Sequence, residues 1–208
     1  MNHVIRRAIS IGTTLFVALA MGAATADSIR VRDGNIELVN AQGIATQITG
    51  KGEVVEAARS PDGKLIAYVV TTPALFIDTG AGRIRADELW VVNAQGTEAR
   101  KLAEGREGDK VELTLAGFSE LHFSPKGDTI FFMSNAWATS NAIHSVELKT
   151  GHERFVCDGN SLDVITRGRY KGNLLVRKHK YRRQGGSYNW VWMVSPSGSD
   201  IKVASRAQ

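Results

Sequence analysis

Residues 167–192 read RGRYKGNLLVRKHKYRRQGGSYNWVW and concentrate the residue types most able to hold a ligand. Arg167, Arg169, Lys171, Arg177, Lys178, Lys180, Arg182 and Arg183 are interleaved with Tyr170, Tyr181, Tyr188, Trp190 and Trp192, with His179 among them. No acidic residue lies between Val164 and Ser199. Guanidinium and ammonium groups attract anions, and tyrosine and tryptophan rings offer stacking faces. This pattern suits a polyanion, an anionic surface or a glycan. A solvated charged loop beside core aromatics reads the same way. So many charges cannot be buried unpaired, so the segment is expected to leave the sheet or line an open rim.

Covalent and metal chemistry finds less support. Gly117-Phe118-Ser119-Glu120-Leu121 lacks the last glycine of a nucleophile elbow. No HExxH or paired-cysteine spacing suggests a metal, and no cofactor motif is present. His122, His144, His152 and His179 fall in different segments. A repeat array could gather them at its centre, and the alternative reading, a small hydrolase or lyase acting on a polysaccharide there, would use His144, His179, Tyr188 and Lys178. The single cysteine, Cys157, ends an alternating run and reads as a small buried side chain. A second loop, Asn135 to Asn141 with Trp137 in it, is polar and carries an exposed-looking ring.

The elements that must position these residues are strands. Residues 1–26 read as a secretory signal peptide, with Arg6 and Arg7, an apolar run, and Ala24-Thr25-Ala26 before Asp27. Without them, 24 basic residues stand against 21 acidic. Residues 167–183 hold eight of the basic ones, so the remainder is net acidic and the positive charge is a patch. An exported chain with one cysteine is expected to hold together by packing alone. Residues 27–208 are expected to form one soluble domain with no membrane span.

VNAQG occurs at 39–43 and again at 92–96, each time between two alternating strands. Related hairpins turn at Gly151 and Gly198, so the four turn glycines are spaced 53, 55 and 47 residues apart. A second hairpin type turns at Ser60-Pro61-Asp62-Gly63, Ser124-Pro125-Lys126-Gly127 and Tyr170-Lys171-Gly172. Each of its turns leads into an apolar strand expected to be buried on both faces. The alternating hairpins predict four-stranded antiparallel units, the period of a propeller blade. The units are 51–105, 106–158 and 159–208, with a partial unit of about three strands at 27–50. Residues 71–87 read as an insertion. The fold expected is all-β, a propeller-like array of about four units.

SPDGKLIAYVV followed by ELWVVNAQGTEARKL resembles the WD40-like repeat of TolB-type β-propellers, a repeat also found in the propeller domains of prolyl-oligopeptidase-type peptidases. The likeness implies a fold and no activity, and a small member lacking a hydrolase domain. Such propellers usually have six or more blades. With fewer, strands 28–33 are expected to close the array near the chain's end, or two chains complete it, so the protein is a monomer or a homodimer. The resulting expectation is an exported, periplasmic, non-enzymatic module that binds a protein, anionic polymer or glycan of the cell envelope. Export argues against nucleic acid as the partner. Loops 71–87, 135–141 and 177–190 would gather at one rim. Its binding residues would be Trp137, Asn141, Arg177, Lys178, His179, Lys180, Arg182, Arg183, Tyr188 and Trp190.

Overall fold

The computed structural model describes residues 27–206, so the signal-peptide reading of 1–26 lies outside the described residues. Four antiparallel sheets follow one another along the chain. Unit one has β1 (Ser28–Arg32), β2 (Asn35–Val39) and β3 (Ala45–Gln47). Unit two has β4 (Val54–Arg59), β5 (Leu65–Thr79), β6 (Gly82–Asn93) and β7 (Arg100–Glu104). Unit three has β8 (Ser119–Phe123), β9 (Thr129–Asn135), β10 (Asn141–Glu147) and β11 (Glu153–Gly159). Unit four has β12 (Leu162–Val164), β13 (Leu174–Tyr181), β14 (Ser187–Val194) and β15 (Asp200–Arg206). The strand order within every sheet is the chain order.

The repeated pentapeptide works through its asparagine and glycine. Asn40 Oδ1 accepts the N–H of Gln42 and of Ile44, and Asn93 Oδ1 accepts those of Gln95 and Thr97. Such side-chain turns replace backbone bonds that the reversing chain cannot make. Gly96 has φ +79°, and a Cβ there would sit 2.9 Å from the Ile48 carbonyl oxygen of unit one. Gly198 has φ +99°, and its Cβ would sit 2.0 Å from the Val156 oxygen of unit three. Glycine therefore serves both the turn and the close approach of the preceding unit.

The core lies between the units. The strand after each Ser-Pro-x-Gly turn is buried on both faces, as its pattern predicts. Ile66 and Tyr68 pack toward unit one with Ile36, while Ala67 and Val69 pack toward unit three with Ile130 and Phe132. Phe131 and Met133 meet Leu174, Val176 and Val194 of unit four. Burying each such side chain contributes about 1.5–3 kcal/mol.

Glutamates tie successive units together. The Glu56 carboxylate of β4 accepts the N–H of Glu120, at 3.1 Å, and of Leu121, at 2.7 Å, on β8. Glu120 in turn accepts the N–H of Leu162 on β12. Both glutamates stand three residues before the last residue of their strand, and the matching position in unit four is Ser161.

Three expectations are corrected. Strand 28–33 does not close the array against the chain's end: β1 pairs with β2, and β15 pairs with β14. The reason is local, because Asp33 and Gly34 both have positive φ, +49° and +69°, the geometry of a two-residue hairpin turn. The sheets form an open array. Of the two outcomes expected for the basic segment, leaving the sheet is not the one observed: all of 174–181 is strand β13, paired with β14 along its whole length. Residues 71–87 are also strand, continuing β5 and β6 into a long hairpin through Phe76–Arg85, Ile77–Ile84 and Asp78–Arg83.

An open array has two end faces. On unit one, Ile29, Ile36 and Ile48 turn toward unit two, which leaves Arg30, Arg32, Asn35, Glu37 and Gln47 on the outward face. On unit four, Leu174 and Val176 turn toward unit three, which leaves Leu175, Arg177, His179 and Tyr181 outward on β13. Polar outer faces are what terminal repeats need when nothing stacks on them.

A candidate binding surface on the last hairpin

Alternation along β13 sorts the basic residues between two environments. Lys178 faces unit three and is buried, 2% exposed. Its ammonium donates to Asp200 at 2.6 Å and lies 3.6 Å from Asp158. Burial alone would pull its pKa down. The Asp200 bond and the neighbouring acids outweigh that and hold it above the ordinary lysine value. Lys178 is thus a structural cation and is not part of the rim, which corrects the expectation from sequence. Asp158 and Asp200 lie on β11 and β15, far from Lys178 in the chain, so the segment's own sequence carried no sign of them.

Arg177 faces outward and is exposed. His179 is half-buried, with Nδ1 2.9 Å from Asn189 Oδ1 and its ring edge-on to Tyr181 at 4.9 Å. Tyr181 is 71% exposed. Lys180 lies 3.9 Å from Asp158. At the hairpin end, Arg182 sits over the Tyr188 ring at 5.6 Å, and Tyr188 packs against Trp190 at 4.2 Å. Arg183 is exposed. Among the described residues, Arg167, Arg169, Lys171, Arg177, Arg182 and Arg183 form no ion pair, whereas Lys178 and Lys180 do.

A neighbouring aromatic group extends the patch. Tyr170 accepts hydrogen bonds from Arg169 at 2.5 Å and Lys202 at 3.3 Å, and both cations lie 4.5 Å from its ring centre. The Lys202 bond comes first in holding its phenol below the usual range. Lys202 lies outside the basic segment, and its pairing with Tyr170 across the sheet could not be read from the chain.

The expected rim is only partly assembled. The β5–β6 tip does meet the loop after β9, since a Cβ on Gly80 would lie 2.6 Å from the Ala136 oxygen. Asn160 then links that loop to unit four: its amide donates to the Thr139 oxygen and its N–H to the Arg177 oxygen, both at 2.7 Å. The Asn141 N–H donates to Asn160 Oδ1, so Asn141 holds this junction through its backbone. Trp137 is half-buried, edge-on to Phe155 at 6.4 Å, and packs on unit three. No hydrogen bond or ring contact among the described residues joins 135–141 to 182–189.

The residues considered for catalysis do not converge. His144 is fully buried between units two and three, with Nδ1 2.6 Å from Glu153 Oε1 and its ring stacked on Phe132. Glu153 also binds Arg106 at 2.6 Å. Burial pushes the Glu153 carboxyl up, but His144 and Arg106 hold it below the ordinary value. Lys178 is buried between units three and four, and His179 and Tyr188 lie on opposite faces of the last hairpin. His122 is 3.8 Å from Asp163. Cys157 is buried, and burial pushes its thiol up to about 12, which suits the inert reading. No cluster of His, Cys, Asp and Glu able to hold a metal occurs among the described residues.

No protein-family model matches the chain, and no curated protein matches it. Solved structures do. A putative TolB from Agrobacterium tumefaciens superposes with a TM-score of 0.60 at 13% identity, over 88% of this chain and 58% of that one. The fold is a TolB-like β-propeller array. Porphyromonas gingivalis dipeptidyl peptidase 4 gives 0.59 at 13% identity, over 88% and 31%. Oligogalacturonate lyase from Vibrio parahaemolyticus gives 0.55 at 13% identity, over 83% and 42%. The chain therefore spans less than two thirds of each of these neighbours. Among the described residues, no helix is long and apolar enough to cross a membrane.

Proposed function

We propose that this protein is an exported, non-enzymatic module that binds an anionic polymer, or the acidic surface of a protein, in the cell envelope through the last hairpin and the end face of unit four. The observation that carries this reading is the set of cations without an acid partner on and beside β13 and β14, with Tyr170 and Tyr181 near them and with Tyr188 and Trp190 on the other face of the hairpin, where Arg182 lies over the Tyr188 ring. Elsewhere some cations are ion-paired, as in Arg30–Glu37, Lys101–Glu88 and Arg106–Glu153, and the rest are scattered among an excess of acidic residues. Unpaired cations on a firm β-surface lose little side-chain solvation until an anion arrives, and the rings supply contact area at low entropy cost.

The test is retention on immobilised polygalacturonate, a linear polyanion, across a salt series. The wild type should bind, and log affinity should fall steeply with log salt as counterions are released. Arg177→Gln, Arg182→Gln and Arg183→Gln together should reduce affinity roughly 10- to 100-fold at low salt, with an unchanged melting temperature. Unaltered retention by the triple variant would overturn the assignment. Turnover of the polymer by the wild type would replace the non-enzymatic reading.

A further inference from the structure

The spaces between units are equivalent in register yet differ in contents. Trp90 lies opposite Tyr68 on the face that unit two turns to unit one. His144 lies opposite Phe132 in the matching place on unit three. Between units two and three that space is plugged. The connection 105–118 folds inward, burying Leu115 completely and Phe118 to 4% exposure, with the Phe118 ring edge-on to Phe132 at 5.0 Å. The connection between units one and two, 48–53, offers Ile48 alone, which packs partly buried at the wall of this space, and includes Gly50 and Gly52. The last strand of unit one is also only three residues long.

What remains between units one and two is a cavity of about 360 Å³. Val54, Val70 and Val92 supply its apolar walls, and Tyr68 and Trp90 its rings. Glu88 stands beside them on the same face, paired across the strands with Val70. Its Oε2 accepts the Trp90 indole N–H at 2.8 Å, and its Oε1 accepts from Lys101 at 3.1 Å. A carboxylate has about four acceptor directions, so each oxygen keeps room for another donor. Lys51 and Glu53 are exposed at the mouth. Lys51 faces Glu53 and Glu88 in the lining, and Lys101, behind Glu88, is shared with Glu104, so the site carries a small excess of carboxylate.

We propose that this cavity binds one neutral sugar ring or a disaccharide. The chemistry of the walls selects it. A volume near the lower end of the usual range, about 300–1,000 Å³, limits the ligand to this size. Paired aromatic rings take the C–H face of a pyranose. Glu88 accepts from its hydroxyls, and Lys51 can donate to them. A purely apolar ligand would cover Glu88 without offering its free acceptor positions a donor, which is costly. The small excess of carboxylate gives a polyanion no advantage, so this site is chemically distinct from the end face of unit four and independent of the function proposed for it.

The four tryptophans give four indole N–H signals in a nitrogen-15 correlation spectrum, and Trp90→Phe identifies the relevant one. Cellobiose and N,N′-diacetylchitobiose are the probes, and digalacturonate is the charged control. At least one neutral probe should shift the Trp90 signal saturably in the millimolar range, while digalacturonate does not. Glu88→Gln should weaken this roughly tenfold with the spectrum otherwise dispersed as before. Ala99→Phe, an exposed position at the cavity wall, should abolish it without disturbing the core. The Arg177, Arg182 and Arg183 triple variant should keep it. The proposal is overturned if neither neutral disaccharide shifts Trp90, if the shifts occur only at other indoles, or if Ala99→Phe binds undiminished.

Discussion

The two end faces of the array solve one problem in different ways. Both lack a neighbouring unit, and both carry charged residues. On unit one the charge is neutralised within the face, where Arg30 and Glu37 meet at 2.6 Å across β1 and β2. On unit four, Arg177 stands outward without an acid, and Arg182 and Arg183 follow at the hairpin end. Solvation of an end face therefore needs polar residues and does not need an excess of one charge. The excess on unit four is a property beyond what capping the array demands, and binding is proposed there for that reason.

The comparison can be broken most severely inside β13 itself. Lys178→Ala removes a buried cation and strands Asp158 and Asp200, so thermal or urea unfolding should show a loss of about 2–4 kcal/mol, reduced from the fully buried case because both acids are about a third exposed. Arg177→Ala, one residue away but outward, should change stability by less than about 0.5 kcal/mol. Equal losses would mean that burial does not separate the two. Next in size is the tie between units. Glu56→Ala leaves two backbone N–H groups on β8 without their acceptor and should cost about 1–3 kcal/mol in the same unfolding assay.

A smaller effect concerns acid. The Glu153 carboxyl is held below its ordinary value in the folded protein. Its stabilising contribution is therefore complete above the unfolded carboxylate pKa of about 4.3 and is lost as pH falls through the lower folded value. Glu153→Gln should lose stability at neutral pH and flatten the unfolding curve between roughly pH 5 and 3. An unaltered pH profile would show that the His144–Glu153–Arg106 chain is not coupled to folding. The smallest effect is expected for association. With both end faces solvated, sedimentation should give a monomer, and Arg30→Gln should leave that unchanged.

Much of this architecture was legible in the chain because it is local and repeated. Strand, turn and strand recur, with asparagine or serine three residues before the glycine in most of the turns and Leu148 in that place before Gly151, and VNAQG marks two of those turns. The glutamate ties could also have been read, since Glu56 and Glu120 each stand four residues before a Ser-Pro-x-Gly turn. Closure of the array by strand 28–33 fails because the two-residue turn at Asp33-Gly34 pairs it locally with β2. The candidate site was half legible. A run of basic residues showed where charge accumulates, but alternation in a strand divides it. Asp158 and Asp200, which claim Lys178, come from strands that only folding brings near. The cavity beside Trp90 was hidden for a related reason: it depends on what the short connection 48–53 fails to fill.

The central claim is that binding follows the location of unpaired charge and not the net charge of the protein. Retention on polygalacturonate at low salt should therefore be compared for two variants, Arg177→Gln with Arg182→Gln and Arg183→Gln on unit four, and Arg30→Gln with Arg32→Gln on unit one. The account predicts roughly 10- to 100-fold weaker binding for the first and at most about a twofold change for the second. Similar losses in both, or none in the first, would contradict it.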